Sequence, residues 1–127
     1  MSDYYGDYEL KYVLLYLFSS VIIYPCIEEL IFRKFLIGYM VSKGTGKIMT
    51  IFISSILFGL YHIEYISLLS SLDIILFTTL FGILLGSLYV VYRSFYLVYF
   101  IHGISNLMVY LISLPDGQWS ESVWALI

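Results

Sequence analysis

Four long apolar segments, separated by short polar turns, dominate the chain. The charge-free stretches cover residues 12–27, 48–63, 74–92 and 94–114. A bilayer core needs about 20 helical residues, with a working range of roughly 17 to 25, so the last two segments are long enough and the second is marginal. Because the stretches lack the alternating pattern of barrel strands, they predict membrane-spanning helices.

The first segment is longer than one upright crossing requires. A helix over residues 10–42 would be about 50 Å long at 1.5 Å per residue. Pro25 removes a main-chain donor, so we expect a kink or break near residues 22–24. One crossing would then end near Ile27, and a second helical piece would carry the charges. The pattern predicts an all-α, polytopic transmembrane helix bundle in a single membrane domain over residues 1–127.

Composition supports this reading and excludes several classes of protein. Hydrophobic residues make up 61% of the chain and charged residues 12%, whereas soluble domains carry about 25% charged residues. Six Lys and Arg residues and a net charge of −3 exclude a basic nucleic-acid surface. The single Cys26 excludes an intramolecular disulfide, and the acidic N-terminus is unlike a signal peptide. We expect an integral protein of the cell (plasma) membrane, in contact with the lipid bilayer.

The charged loop residues suggest an orientation. If the second and third apolar segments each cross once, Lys43, Lys47 and Arg93 lie on one side. The acidic residues of the opposite side are Glu64, Asp73, Asp116 and Glu121. The positive-inside rule then predicts that the basic side faces the cytoplasm.

Several ionisable and amide side chains interrupt otherwise apolar helices. They are Glu28, Glu29, Arg33, His62, His102 and Asn106. A charge near the bilayer centre costs about 2.5 to 3.5 kcal/mol even on the translocon scale, so such residues are expected to share a site. Glu29 and Arg33 are four positions apart and can pair on one helix face. When the depth of each residue is counted along its helix from the basic turns, the polar residues of three segments fall in one overlapping layer of the membrane.

Three short motifs carry these residues. Residues 28–33 read EExxxR, residues 58–62 read FxxxH, and residues 102–106 read HxxxN. In this order, on successive apolar segments, they resemble the CAAX-processing and bacteriocin-processing (CPBP, or Abi) family of intramembrane proteases. The resemblance covers a motif core at about residues 24–111. It implies peptide-bond hydrolysis in the membrane, on membrane-embedded peptides or lipidated, prenylated protein tails.

The resemblance also implies a role for each motif residue. Glu28 would be the general base and His62 would orient and polarise the attacking water. Glu29 would hold Arg33, and the order within the motif gives the base role to Glu28. Phe58 is expected to pack as a wall of the site.

The third motif would supply the oxyanion site, with His102 and Asn106 as donors, and one such donor is typically worth about 10² to 10³ in rate. A metal-dependent alternative stays open. Glu28, His62 and His102 could hold a zinc ion with an open position for water, although the HExxH spacing of familiar zinc proteases is absent.

Other functions compete with proteolysis for the same polar residues. A non-catalytic bacteriocin-immunity or binding membrane protein could retain the site, and Glu/His chains also build proton relays. As structural features, His102 and Asn106 could join helices by hydrogen bonds, while Gly82 and Gly86 indicate close helix packing. Family members generally carry additional helices, which leaves three alternatives for this chain: a minimal core, a truncated gene product, or a protomer that completes its bundle as a homo-oligomer.

Overall fold

The protein is a bundle of long apolar helices. The computed structural model describes residues 3–63 and 72–113, with side chains described from residue 11 onwards. Every regular element in these ranges is helical, which confirms the predicted helix bundle. The α-helices are α1 (Asp3–Phe18), α2 (Tyr24–Glu29), α3 (Gly38–Ser42), α4 (Lys47–Tyr61), α5 (Leu72–Tyr92) and α6 (Phe95–Ser113). The turn predicted between Glu64 and Asp73 lies almost wholly outside the described residues, as do Asp116 and Glu121.

Three of the described helical runs are long and apolar enough to cross a membrane. They are Lys11–Ser42, Leu72–Tyr92 and Phe95–Ile112, and Lys47–Tyr61 is a shorter apolar helix. The lengths agree with the sequence pattern, including the marginal second segment. The protein is therefore an integral membrane protein.

The first run contains two π-helical stretches, which join α1, α2 and α3 into one continuous path. The first π stretch is Ser19–Ile23 and the second is Leu30–Ile37. The irregularity predicted near Pro25 takes the form of the first π stretch, and the helix continues through it. A wider turn accommodates the proline ring and its missing donor without ending the helix. Thus one continuous helical run, Lys11–Ser42, contains both the apolar segment before Pro25 and the charged residues after it.

The α4 and α5 helices are antiparallel and approach each other closely at glycines. An added Cβ at Gly82 would lie 3.2 Å from the Cα of Ser55, and one at Gly86 would lie 3.4 Å from Ile51 Cγ2. Such close contact is the packing that the spacing of these two glycines predicts. Because the helices are antiparallel, the turn before α4 and the turn after α5 lie at the same end of the bundle. Which side of the membrane this end faces stays a prediction.

Replacing Gly59 by Ala is expected to destabilise the bundle by about 1–3 kcal/mol, because overpacking forces neighbouring atoms to shift. The added Cβ would collide with Thr79 Oγ1 and would lie 2.9 Å from the main-chain oxygen of Ile75. Denaturant titration of the micelle-bound protein, followed by circular dichroism, measures the change. Gly38→Ala is the matched control, since an added Cβ there meets nothing within 4 Å. Equal stability of the two variants would contradict the close α4–α5 contact.

Candidate active site

Three helical runs bring the polar motif residues together in the interior. The residues are Glu28, Glu29, Arg33, Phe58, His62, His102 and Asn106, and each is at most 9% exposed. The first run supplies both glutamates and the arginine, the C-terminal end of α4 supplies Phe58 and His62, and α6 supplies the rest. The convergence expected from helical spacing is therefore present in the structure.

Glu29 is the central member of a chain of three charged or polar side chains. Its Oε2 lies 3.1 Å from Arg33 Nε, the pair expected from the i, i+4 spacing. Its Oε1 lies 2.8 Å from Nδ1 of His102, which is 73 positions away in the sequence. Spacing along one helix cannot predict this second contact. Glu29 therefore links the first helical run to α6 as well as holding Arg33.

Arg33 is fully buried and has contacts beyond Glu29. Its Nη2 donates a hydrogen bond to the main-chain oxygen of Gly82, at 3.3 Å. Its Cζ lies 4.4 Å from the centroid of the Phe58 ring, within cation–π distance. Sequence reasoning gave Gly82 a packing role alone, because a main-chain acceptor leaves no side-chain signal. Phe58 packs between Arg33 and His62, as expected of a wall residue.

The imidazole of His102 lies between the two glutamates. While Nδ1 contacts Glu29, Nε2 lies 3.6 Å from Oε2 of Glu28, too far for a direct hydrogen bond. Within the described part of the chain, this Glu28 oxygen is buried and has no hydrogen-bond partner. The proton on Nδ1 is assigned from its carboxylate partner. Nε2 of His102 and Oε2 of Glu28 thus face each other without a hydrogen bond between them.

If Glu29 is ionised beside Arg33, two arrangements of protons leave these buried charges balanced. In the first, both glutamates are ionised, and Arg33 and a doubly protonated His102 offset them. In the second, Glu28 is protonated and His102 is neutral, so only Glu29 and Arg33 are charged. Balance matters because an uncompensated buried charge is strongly destabilising. The arrangements differ in the position of one proton between Glu28 and His102, which is suited to acid–base chemistry.

His62 and Asn106 are each oriented by a main-chain carbonyl. His62 Nδ1 lies 2.8 Å from the oxygen of Phe58. A carbonyl oxygen only accepts, so Nδ1 carries the proton and Nε2 of a neutral ring has the lone pair. Asn106 Nδ2 donates to the oxygen of Ser20, also at 2.8 Å. This bond fixes the amide orientation and leaves the second N–H of Nδ2 for another acceptor.

A cavity of about 100 Å³ lies between α4, α5 and α6. Its lining residues are Phe58, His62, Phe77, Thr78, Phe81, His102, Ser105, Asn106 and Val109. The α5 residues of this lining carry no motif, and sequence reasoning missed them. The ring of Phe81 lies 5.5 Å from that of His102, so α5 contributes directly to the surroundings of the site. Glu28 is not part of the lining and lies beside the cavity, against His102.

The placement of the side chains bears on the metal-dependent alternative. Across residues 11–63 and 72–113, no three or more His, Cys, Asp and Glu side chains are grouped so that they could hold a metal ion. A catalytic zinc typically has three protein ligands at about 2.0 to 2.2 Å when these are His and carboxylate groups. Glu28, His62 and His102 as placed do not fit such a centre.

Comparison with models of protein families gives a match over most of the chain. The model of a family described as type II CAAX prenyl endopeptidase Rce1-like matches residues 10–108. This range contains all three motifs and every residue of the polar cluster. No curated protein matches the chain, and no solved structure does.

Proposed function

Because the chain belongs to the Rce1-like family of type II CAAX prenyl endopeptidases, we propose that it cleaves prenylated protein tails in the membrane by means of a side-chain-activated water. The family is one of proteases, and the apolar helices make this chain an integral membrane protein. Glu28 is proposed as the general base, with His62, His102 and Asn106 around the reacting carbonyl. The plasma membrane is the proposed location.

One observation carries this proposal. Glu28 Oε2 is buried and, among the described residues, has no hydrogen-bond partner. It lies 3.6 Å from Nε2 of His102, and His102 lines the cavity, so one imidazole ring separates the Glu28 carboxylate from the space in which water and substrate would bind. Oε2 of Glu29 and Nε of Arg33 also have no hydrogen bond, but they form an ion pair at 3.1 Å. Oε2 of Glu28 has no partner this close, which fits a group that acts on a bound reactant.

The reaction follows from these groups. Glu28 takes a proton from the water as the water oxygen forms a bond to the scissile carbonyl carbon. The carbonyl electron pair moves to its oxygen, which the second N–H of Asn106 and the Nε2–H of a doubly protonated His102 stabilise. The intermediate then collapses, the C–N bond breaks, and Glu28 returns the proton to the leaving amine. His62 Nε2 accepts a hydrogen bond from the water and orients it.

Glu29 and Arg33 are proposed to act through His102 and not on the substrate. The carboxylate of Glu29 accepts the proton of Nδ1, which fixes the ring orientation and leaves Nε2 towards Glu28. Arg33 balances the charge of Glu29 in the interior. A base oriented by a third group is the usual arrangement for such chemistry.

The composition of the cavity supports a substrate that is partly apolar and partly peptide. Aromatic and aliphatic side chains from α5 and α6 line it together with the two histidines and Asn106. An apolar wall with a few convergent polar groups is typical of a binding site for a small or extended ligand. At about 100 Å³ the cavity can hold only part of such a substrate. The peptide carbonyl would meet the polar groups there, and most of the prenyl group would lie outside the cavity, in the bilayer.

A farnesylated peptide ending in Cys-aliphatic-aliphatic-Ser tests the proposal. We expect the protein, reconstituted in liposomes, to release the C-terminal tripeptide, which mass spectrometry identifies. The same peptide without the farnesyl group should be cleaved at least about tenfold more slowly, because binding energy from the remote prenyl group contributes to the reaction. Equal rates for the two peptides would contradict recognition of the prenyl group. Absence of tripeptide from both would contradict the proposed activity on this substrate class.

A further inference from the structure

The main-chain oxygen of Ser20 is left without its usual helical donors. In α-helical register its donor would be the N–H of Tyr24, but this group donates to Ser19 in the first π stretch. In π register its donor would belong to residue 25, which is Pro25 and has no N–H. The π turn and the proline together therefore leave this carbonyl without either donor, although Ser20 is only 1% exposed.

Asn106 satisfies this buried acceptor. Its Nδ2 donates to Ser20 O at 2.8 Å, and the two residues are 86 positions apart. The α6 helix lies directly against the π stretch here, since a Cβ added at Gly103 would lie 2.5 Å from Val21 O. Close approach makes the bond short and keeps water from replacing the amide. An unmade hydrogen bond at a buried carbonyl is costly, so the acceptor holds the amide strongly.

We propose that Pro25 is a positioning residue, which fixes Asn106 by keeping the Ser20 carbonyl free of main-chain donors. The inference rests on the proposed function, because it assigns Pro25 an effect on hydrolysis. With Nδ2 held by Ser20, the orientation of the amide is determined, and the second N–H is left for the oxyanion. Pro25 itself does not line the cavity.

Replacing Pro25 by Ala should give the Ser20 carbonyl a main-chain donor in either helical register. If the π register persists, the new N–H of residue 25 bonds to Ser20. If the turn reverts to α register, Tyr24 bonds to Ser20 and residue 25 bonds to Val21. Both outcomes give the Ser20 oxygen a main-chain donor, and Asn106 then competes with that donor for it. A displaced oxyanion donor lowers the rate of the chemical step more than it weakens substrate binding.

The first measurement follows the bond directly and does not depend on activity. Asn106 is the only asparagine in the sequence, so ¹⁵N-asparagine labels a single side-chain amide. With ¹³C-carbonyl serine, solid-state NMR dephasing reports how close this Nδ2 lies to labelled serine carbonyls. Because Ser105, the neighbour of Asn106, is labelled as well, the part of the dephasing that disappears in Ser20→Ala is assigned to the carbonyl of residue 20. We expect strong dephasing in the wild type and a clear loss of it in Pro25→Ala. Unchanged dephasing in Pro25→Ala would overturn the proposal, whether or not the protein proves to be a protease.

The second measurement separates positioning from general damage. On the farnesylated peptide, Pro25→Ala should lower kcat by roughly 10- to 100-fold and change KM by less than about twofold. Lactic acid at position 25, introduced by nonsense suppression, also lacks the N–H and should restore most of the wild-type kcat and dephasing. Cys26→Ala, which keeps every main-chain donor of the wild type, is the control and should behave as wild type.

Each result bears on the proposal in one direction. Loss of kcat and of dephasing in Pro25→Ala, with recovery of both by lactic acid, supports it. If Pro25→Ala loses kcat but keeps the Asn106–Ser20 contact, the proposal is overturned. The proposal is also overturned if lactic acid at position 25 restores neither kcat nor the dephasing. If the wild type cleaves nothing, the dephasing series still decides whether Pro25 positions Asn106, and only the proposed activity is then contradicted.

Discussion

Glu28→Gln is expected to lower peptide hydrolysis by about 10² to 10⁴-fold, the usual contribution of a general base. The substitution keeps the size and shape of the side chain and removes its ability to take a proton. Since Glu28 Oε2 has no hydrogen-bond partner among the described residues, the change breaks no protein hydrogen bond there. The variant should therefore fold and lose activity, with kcat affected more than KM.

Two measurements check this result. The first is kcat on the farnesylated peptide, with Asp73→Asn as the control, since Asp73 is an exposed carboxylate at the start of α5. The second compares new peptide termini in membranes of cells that carry the wild type or Glu28→Gln, and it identifies natural substrates. Full activity of Glu28→Gln would show that Glu28 is not the general base. An immunity phenotype that persists without any cleavage would favour the non-catalytic alternative.

Arg33→Met is expected to destabilise the protein by about 3–5 kcal/mol, because it leaves the carboxylate of Glu29 buried without its cation. Both side chains of this pair are fully buried, so solvent cannot screen the remaining charge. The guanidinium also loses its hydrogen bond to Gly82 and its contact with the Phe58 ring. This is the largest stability effect that we expect from a single substitution in the site.

A double-mutant cycle separates the pair from the packing of Arg33. Adding Glu29→Gln to Arg33→Met removes the unpaired charge, so the double variant should be more stable than the sum of the two losses predicts, by about 1–3 kcal/mol. Denaturant titration in micelles gives the free energies of unfolding. Lys34→Met is the matched control, because Lys34 is the neighbouring cation and is exposed. Additive losses would show that Glu29 and Arg33 are not energetically coupled.

The helices and the polar layer could be predicted from the sequence because both depend on local pattern. Long apolar runs specify helices in a bilayer, and residues four positions apart share a helix face. The pair of Glu29 with Arg33 follows from that rule and is present in the structure. The catalytic roles of Glu28 and of the other motif residues are assigned from the resemblance of the motifs to the protease family, and they stay a prediction.

The contacts between helices could not be predicted in the same way. The link of Glu29 to His102 depends on how the first run and α6 cross. The contribution of Phe81 and Thr78 to the cavity depends on which face α5 presents, and an evenly apolar helix gives no sign of this face. The π register also escapes sequence reading. A proline signals an irregularity, but it does not distinguish a break from a widened turn.

The i, i+4 placement of Glu29 and Arg33 has a consequence for biosynthesis. These two charges lie on the first helical run and can neutralise each other as soon as that run forms. His102 follows Glu29 by 73 positions, so it is translated much later. The nascent first helix therefore enters the bilayer with one internally compensated pair, and its insertion costs less than the sum over its individual charges. Glu28 is the group whose interior partner arrives only with the final helix of the described bundle.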